Sequence, residues 1–422
     1  MIEVEGVVGP SAPANARDLG IDPALVSDLA LRAASLVPQF NTEWLAQKVH
    51  LPQSLMGGVL DRLREELLLD VLGQAGPFGY RFALSNRGRE RAKRLFEITS
   101  YVGPAPVSLA AYTEMLVWQT EQFSEVTPES VTACLEGLIL KPEDLALAGL
   151  AASSGRSLFI FGPPGNGKTT LGRLLHEVRE GDLWIPYTIE VEGQFIRLFD
   201  PQCHQTVELH VELSRRIDRR WVCIKRPLIV VGGEMTLESC DLTYSPSERF
   251  YEAPLHMKAN GGTFVIDDFG RQRVDPHDLL NRWIIPLEHR FDHLTFHTGQ
   301  MMLVPFLLML IVATNLQVDE VTDPAFLRRM GYRMYLDKPS PEEYIEIFER
   351  YARRHEVDAP RSLVQRLLKR YEVEERELRG CEPRDLIERA RDISRFRRTS
   401  FELTEEILDL AWSGYFGTRR SI

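Results

Sequence analysis

The residues best suited to chemistry form one uninterrupted string, Gly162-Pro163-Pro164-Gly165-Asn166-Gly167-Lys168-Thr169-Thr170. It satisfies the pattern GxxxxGK[ST] and lies between an apolar run, SLFIF (157 to 161), and a helical pattern, TTLGRLLHEV (169 to 178). Strand, glycine-rich turn and helix together are the context this motif requires, which argues against a chance turn. The glycines let successive backbone N–H groups wrap a chain of phosphates, Lys168 adds positive charge at the β and γ positions, and the Thr169 hydroxyl can coordinate Mg²⁺. The string therefore predicts a site for a nucleoside triphosphate, with Gly162 to Thr170 as its cradle.

Phe264-Val265-Ile266-Asp267-Asp268 is an apolar run ending in two carboxylates. Alone, it reads equally well as a strand entering a solvated turn. Beside a phosphate loop, Asp267 would hold the metal through water and Asp268 would polarise an attacking water. A third apolar run, Leu310 to Thr314, ends in Asn315. Asn315 could orient that water or contact the γ-phosphate, or simply make a turn; its place after the carboxylate strand favours the first reading.

These residues need a scaffold. The apolar runs SLFIFG, PLIVVGG, GTFVIDD and LLMLIVATN alternate with helical patterns and are apolar on both faces, as in a parallel sheet covered by helices. Upstream, residues 1–22 read as a flexible leader. Residues 23–100 read as three helices, a β-hairpin with its turn in GQAGPFG (73 to 79), and a basic helix, an order that resembles a winged-helix domain. Residues 101–130 read as linker and connecting helix, 131–338 as the α/β nucleotide-binding subdomain, and 339–422 as an all-helical domain.

Taken together, GPPGNGKT, FVIDD and VATN resemble the Walker A, Walker B and sensor 1 motifs of the AAA+ ATPase superfamily, over about residues 130 to 422. The resemblance implies an α/β P-loop NTPase fold with a helical lid, ATP and Mg²⁺ as ligands, and a ring, most often a hexamer, with nucleotide between neighbouring subunits. DPAFLRRMGYRMYL (323 to 336) resembles the stretch that carries an arginine finger, implying Arg328 or Arg329. GCEPRDLIERA (380 to 390) resembles sensor 2, implying Arg384. LTFHTGQMMLVPF (294 to 306) looks like a hairpin turning at Thr298-Gly299, which marks the pre-sensor-1 branch that includes MoxR-like ATPases. A second strand pair, 185 to 200, could be another insertion or part of the core sheet. One departure is Asp267-Asp268 where AAA+ proteins usually carry Asp-Glu. DnaC-like and IstB-like ATPases share the IDDFG-type string, so hydrolysis is still expected, while the shorter side chain leaves its rate open, from ordinary turnover to a slow switch.

Composition bounds the rest. With 422 residues, 44% of them hydrophobic, and a net charge of −11 from 50 Lys+Arg against 61 Asp+Glu, the chain suits a soluble protein of several domains. It does not suit bulk coating of nucleic acid. Five dispersed cysteines without CxxC suggest a reducing cytoplasm and no zinc knuckle. The apolar run Met301 to Ala313 is 13 residues and includes Pro305, well short of the roughly 20 needed to span a bilayer. His289, His293 and His297 fall four apart, but a strand pattern interrupts them, so a metal site is not favoured; Cys203, His204 and His210 are equally unsupported. Residues 41–100 carry nine Lys/Arg against seven Asp/Glu, a net of +2. Protein contact is thus favoured over DNA contact for the N-terminal domain. The leading expectation is remodelling of a protein client, the alternatives being a DNA-associated ATPase and a slow nucleotide-gated switch.

Overall fold

The computed structural model of the chain describes residues 2–4, 7–74, 80–179, 181–209, 216–316 and 324–417. A hairpin of β1 (Ile2–Val4) and β2 (Val7–Gly9) precedes α1 (Pro23–Ala34), β3 (Phe40–Asn41), α2 (Thr42–Val49), α3 (Gln53–Glu65), β4 (Leu69–Gln74), β5 (Tyr80–Leu84) and α4 (Asn86–Ile98). Helices α1, α2 and α4 begin where Asp22, Asn41 and Ser85 accept hydrogen bonds from their first free N–H groups. The three strands pair in the order β3-β5-β4. Leu29, Leu45, Leu60, Leu63, Phe82 and Leu95 fill the space between sheet and helices. Most of the expected turn, residues 75–79, lies outside the described residues.

Residues 1–22 were expected to be a flexible leader, and here the structure differs. Ala12 N–H donates to Arg216 O at 3.0 Å, Asp218 N–H to Pro10 O at 2.9 Å, and the Trp184 indole to Val8 O at 3.0 Å. Arg220, buried and paired with Asp218, also donates to Leu19 O at 2.9 Å. The segment has no periodic apolar pattern of its own, and the described residues among 2–22 are placed by partners some two hundred positions downstream.

The chain continues through β6 (Val107–Ser108), α5 (Leu109–Gln122), α6 (Pro128–Leu135), α7 (Pro142–Ser154), β7 (Leu158–Phe161), α8 (Lys168–Glu177), β8 (Asp182–Pro186), β9 (Thr188–Val191), β10 (Gln194–Arg197), β11 (Trp221–Lys225), β12 (Leu228–Val231), β13 (Thr243–Ser245) and β14 (Phe250–Glu252). It then forms α9 (Leu255–Lys258), β15 (Thr263–Ile266), α10 (Pro276–His289), β16 (Phe291–Thr295), β17 (Met301–Pro305), β18 (Met309–Thr314), α11 (Pro324–Arg329) and β19 (Tyr332–Tyr335). The central sheet is wholly parallel, in the order β12-β15-β18-β7-β19. Alternate residues serve opposite layers: Leu158, Ile160, Val265 and Ile311 pack with α6, α7 and α8, whereas Phe159, Phe264, Leu310 and Val312 pack with α10 and α11. This order, with crossovers, brings the ends of β7, β15 and β18 side by side.

The strand pair whose place was open lies outside this sheet. β8 pairs with β11, and β9 and β10 belong to a separate five-stranded sheet, β13-β14-β10-β9-β6. That sheet also takes in part of 101–130, read from sequence as linker and connecting helix. β6 is one of its strands, Tyr112, Met115 and Leu116 of α5 are buried against it, and Gln119 bonds both N–H and C=O of Trp184. The Pro and Gly content that suggests a linker reflects an extended path that is clamped, with Ala105 N–H on Val49 O at 2.7 Å. Phe195 and Phe250 enter the core of the N-terminal unit, so the two share one apolar interior.

The C-terminal part is helical: α12 (Pro341–Arg354), α13 (Arg361–Val373), α14 (Glu382–Arg397) and α15 (Glu405–Phe416) enclose Phe348, Leu367, Leu386 and Trp412. Among the described residues, no helix is long and apolar enough to cross a membrane.

Candidate active site

The loop from Gly162 to Gly167 joins β7 to α8 and takes a path only glycine permits at its ends. Gly162 has φ +137°, and a Cβ there would stand 2.2 Å from Leu336 O of the adjoining strand segment. Gly165 and Gly167 also have positive φ. Lys168, buried at the start of α8, donates from Nζ to Gly162 O and Pro163 O, each at 2.8 Å. Burial pushes its pKa down to about 8, against the opposing pull of Asp268 and Asp267.

The carboxylates stand where β15 ends. Thr169 Oγ1 donates to Asp267 Oδ1 at 2.8 Å, and the same oxygen accepts from Asp268 N–H at 3.0 Å. A hydroxyl and a carboxylate in contact are a hard-oxygen donor set that fits Mg²⁺, which keeps several of its waters. Asp268 has φ +48°, and its Oδ1 accepts from Asn315 Nδ2 at 2.7 Å at the end of β18. Gln272, which sequence reasoning missed, donates to the carbonyls of Asp267 and Gly232 at 3.1 and 3.3 Å and so braces the turn.

The helical domain closes over this loop. Gly380 N–H donates to Asn166 Oδ1 at 3.0 Å and Cys381 N–H to Gly165 O at 2.8 Å. A Cβ on Gly165 would lie 2.8 Å from Cys381 Sγ. The approach is fixed from behind by buried Glu382, which accepts from Tyr371 OH at 2.7 Å and Arg379 N–H at 3.1 Å. Between the two domains lies a cleft of about 940 Å³.

Of the expected residues, Gly165, Asn166, Gly167, Lys168, Thr169, Thr170, Asp267, Asp268, Asn315 and Arg384 line that cleft. Arg384 is held by Asp385 at 2.9 Å. Gly162, Pro163 and Pro164 shape the loop without lining the cleft, and Arg328 and Arg329 stand apart from it. Arg329 pairs with Glu288 at 2.8 Å, while Arg328 is exposed. Sequence reasoning also missed Arg350 and Arg354, one turn apart on α12, and Cys134 and Cys381, all lining the cleft. Arg350 donates to Glu136 O at 2.6 Å, bridging the two domains. The helical spacing of the arginines was visible, but a charged stripe usually marks a solvated face.

His289, His293 and His297 fall on a helix end, a strand and a hairpin turn, so their spacing places them on no common face. His297 stacks on Tyr244 with ring centroids 4.2 Å apart. His204 bonds Lys258 O at 2.9 Å, and His210 lies outside the described residues.

No curated protein matches the chain. Among solved structures, it is similar to Thermotoga maritima RuvB, titled a Holliday junction branch migration motor, with 14% identity over 68% of this chain and 70% of that one, at a TM-score of 0.36. Two mutants of the same protein give 13% identity over 72% and 74%, at a TM-score of 0.38, and 14% over 68% and 70%, at 0.39. Residues 340–414, nearly the whole helical domain, match a family described as a domain of unknown function, DUF8689.

Proposed function

We propose that the chain is a P-loop ATPase of AAA+ type that hydrolyses Mg-ATP, assembles into a ring, most simply a hexamer, and remodels a protein partner in the manner of MoxR-like motors. The observation that carries the reading is the meeting of two pairs, Thr169 with Asp267 and Asp268 with Asn315, at the mouth of a glycine-built loop beneath a helical domain. Gly165 to Thr170 would cradle the phosphates, with Lys168 leaving its carbonyl partners for the β and γ oxygens. Thr169 and Asp267 would hold Mg²⁺, which would supply charge neutralisation at the phosphates. Asp268, oriented by Asn315, would accept the proton of the attacking water. Arg384 would turn from Asp385 toward the γ-phosphate, and Arg328 or Arg329 would serve the site of a neighbouring subunit.

In this reading residues 23–100 are a winged-helix-like adaptor, 131–338 the nucleotide-binding subdomain and 339–422 the lid, and the site of action is cytoplasmic. A protein partner is supported by exposed Val71, Leu72 and Tyr80 on the β4–β5 hairpin. It is supported too by Arg62 and Arg64, which face Glu66, just past the end of their helix, and Asp61 within it. DNA contact through that domain is the competing outcome. A slow switch is favoured by one feature, the short Asp268 side chain already held by Asn315.

Affinity capture tests the proposal. Asp268→Asn should trap an ATP-bound assembly, whereas Lys168→Ala should bind no nucleotide. A protein enriched only in the trap supports remodelling, and DNA enriched in its place overturns it. Turnover that rises in specific activity with protein concentration supports a residue supplied in trans, while binding with scarcely any turnover at every concentration identifies the switch.

A further inference from the structure

One side of α12 lines the cleft between the two domains. Ile347, Arg350, Tyr351 and Arg354 fall at i, i+3, i+4 and i+7, the spacing of a single helical face. Tyr344, Ile345, Phe348 and Ala352 of the same helix are buried in the core of the helical domain, so α12 is displaced only when that domain is. The segment that follows α6, Glu136 to Ile139, forms another wall of the cleft. It belongs to the other domain: Val131 and Leu135 of α6 are buried in the α/β core, and a Cβ on Gly167 of the phosphate loop would lie 3.5 Å from Leu138.

Arg350 joins these two walls. Its Nη1 donates to Glu136 O at 2.6 Å, and its Nη2 pairs with Glu346, one turn earlier on α12. Glu136 is the C-cap residue of α6, where a helix leaves carbonyls without intrahelical partners and presents its negative pole. A guanidinium suits that position on both counts, and Glu346 sets its direction. The bond is separate from the two that clip the helical domain to the phosphate loop, Gly380 N–H to Asn166 Oδ1 and Cys381 N–H to Gly165 O. Those two lie at the start of α14 and would let α12 swing about them, whereas the Arg350 bond fixes α12 to the α6 side.

We propose that Arg350 is a positioning residue that retains nucleotide in the cleft. The guanidinium must leave Glu136 O before α12 and residues 136–139 can part, and this step governs release. The inference rests on the reading of the cleft as a nucleotide site. Arg350 requires no contact with the nucleotide, because it acts through the separation of the two walls.

The test loads the full chain with a fluorescent, non-hydrolysable ATP analogue and Mg²⁺, then chases it with excess unlabelled analogue. Arg350→Ala should release the analogue about fivefold faster, the scale of one hydrogen bond. Arg350→Lys, which keeps a donor, should restore most of the retention. Arg350 is half-exposed, so both variants are expected to unfold at the parent temperature. Hydrogen exchange without nucleotide gives a second readout: residues 136–140 should quicken in Arg350→Ala while residues 378–384 do not. Release no faster in Arg350→Ala overturns this inference alone. Faster release with unchanged exchange at 136–140 overturns it as well, since Arg350 would then act on the nucleotide directly. A parent chain that binds no analogue overturns the nucleotide reading and this inference with it.

Discussion

Asn315 donates to Asp268 at 2.7 Å, tying the ends of β18 and β15 together across the mouth of the cleft. Asp268 holds a left-handed backbone, φ +48°, which aspartate tolerates better than most residues. The two features fix one carboxylate oxygen at a single position. Asp268→Asn is expected to keep nucleotide affinity and lower single-turnover hydrolysis by about 10²- to 10⁴-fold, the usual contribution of a positioned base. Asn315→Ala should cost less, since it would free the proposed base without removing it. Asp268→Glu should retain more activity than Asp268→Asn, and equal rates for the two would exclude Asp268 as the base.

Thr169 and Asp267 form the other contact, and the proposed magnesium site built on it predicts metal dependence. Replacing the hydroxyl by Thr169→Ser preserves the donor, whereas Thr169→Ala removes it. In a magnesium titration of ATP turnover, Thr169→Ala and Asp267→Asn should each shift the midpoint to higher concentration, and Thr169→Ser should not. Urea unfolding without nucleotide should change by only about 1 kcal/mol for Thr169→Ala, the worth of one partly buried hydrogen bond. A larger change would make the contact structural.

Both pairs show how far the sequence could be read. GPPGNGKT, the two carboxylates and Asn315 were legible because strand, loop and helix are local and their chemistry is periodic or contiguous. The docking of Gly380 and Cys381 on the loop was not, since backbone N–H groups carry no sequence signature and the partners are some 215 positions apart. The leader misled for the same reason: Pro10 and Ala12 have the composition of a tail but pair with residues 218 and 216, respectively. Arg350 and Arg354 were hidden by helical charge, which looks alike on a solvent face and on the wall of a cleft.

Lys168 gives a pH dependence whose sign can be worked out. Its pKa, lowered to about 8 by burial, lies below its ordinary value of 10.5. Between these values the unfolded chain binds more protons, so this group makes the free protein gain stability as pH rises from 8 toward 10.5. Phosphate binding needs the charged form and therefore weakens over the same interval. The affinity for a non-hydrolysable ATP analogue is expected to hold from pH 7 to 8 and to fall above it. Lys168→Arg should remove that fall, and a fall that persists in the arginine variant would assign it to another group.

The helical domain is clipped to the phosphate loop by Asn166, whose Oδ1 accepts from Gly380 N–H at 3.0 Å. Asn166→Ala leaves that N–H without its partner, and the second bond, Cys381 N–H to Gly165 O, then carries the contact alone. Hydrogen exchange at residues 378–384 should quicken in this variant while α15 is unaffected. Gly165→Ala should do more, because the new Cβ meets Cys381 Sγ and the backbone has φ +81°; it should lose nucleotide binding as well. Unchanged exchange in Asn166→Ala would mean that shape alone holds the domains together.

The two arginines of α11 differ in their surroundings, and this separates the predictions for them. Arg329 is mostly buried and pairs with Glu288 of α10, an arrangement that joins two helices of its own subunit. Arg328 is exposed, with no ion-pair partner among the described residues, as a group that must reach another chain requires. Arg328→Ala is therefore expected to leave thermal stability and nucleotide binding intact and to lower turnover by about 10³-fold, the scale of an arginine supplied in trans. Arg329→Ala should instead lower the unfolding temperature. Mixing Arg328→Ala with Lys168→Ala decides the matter, since each supplies what the other lacks. Activity should reappear in the mixture, and its absence would place Arg328 outside the neighbouring site.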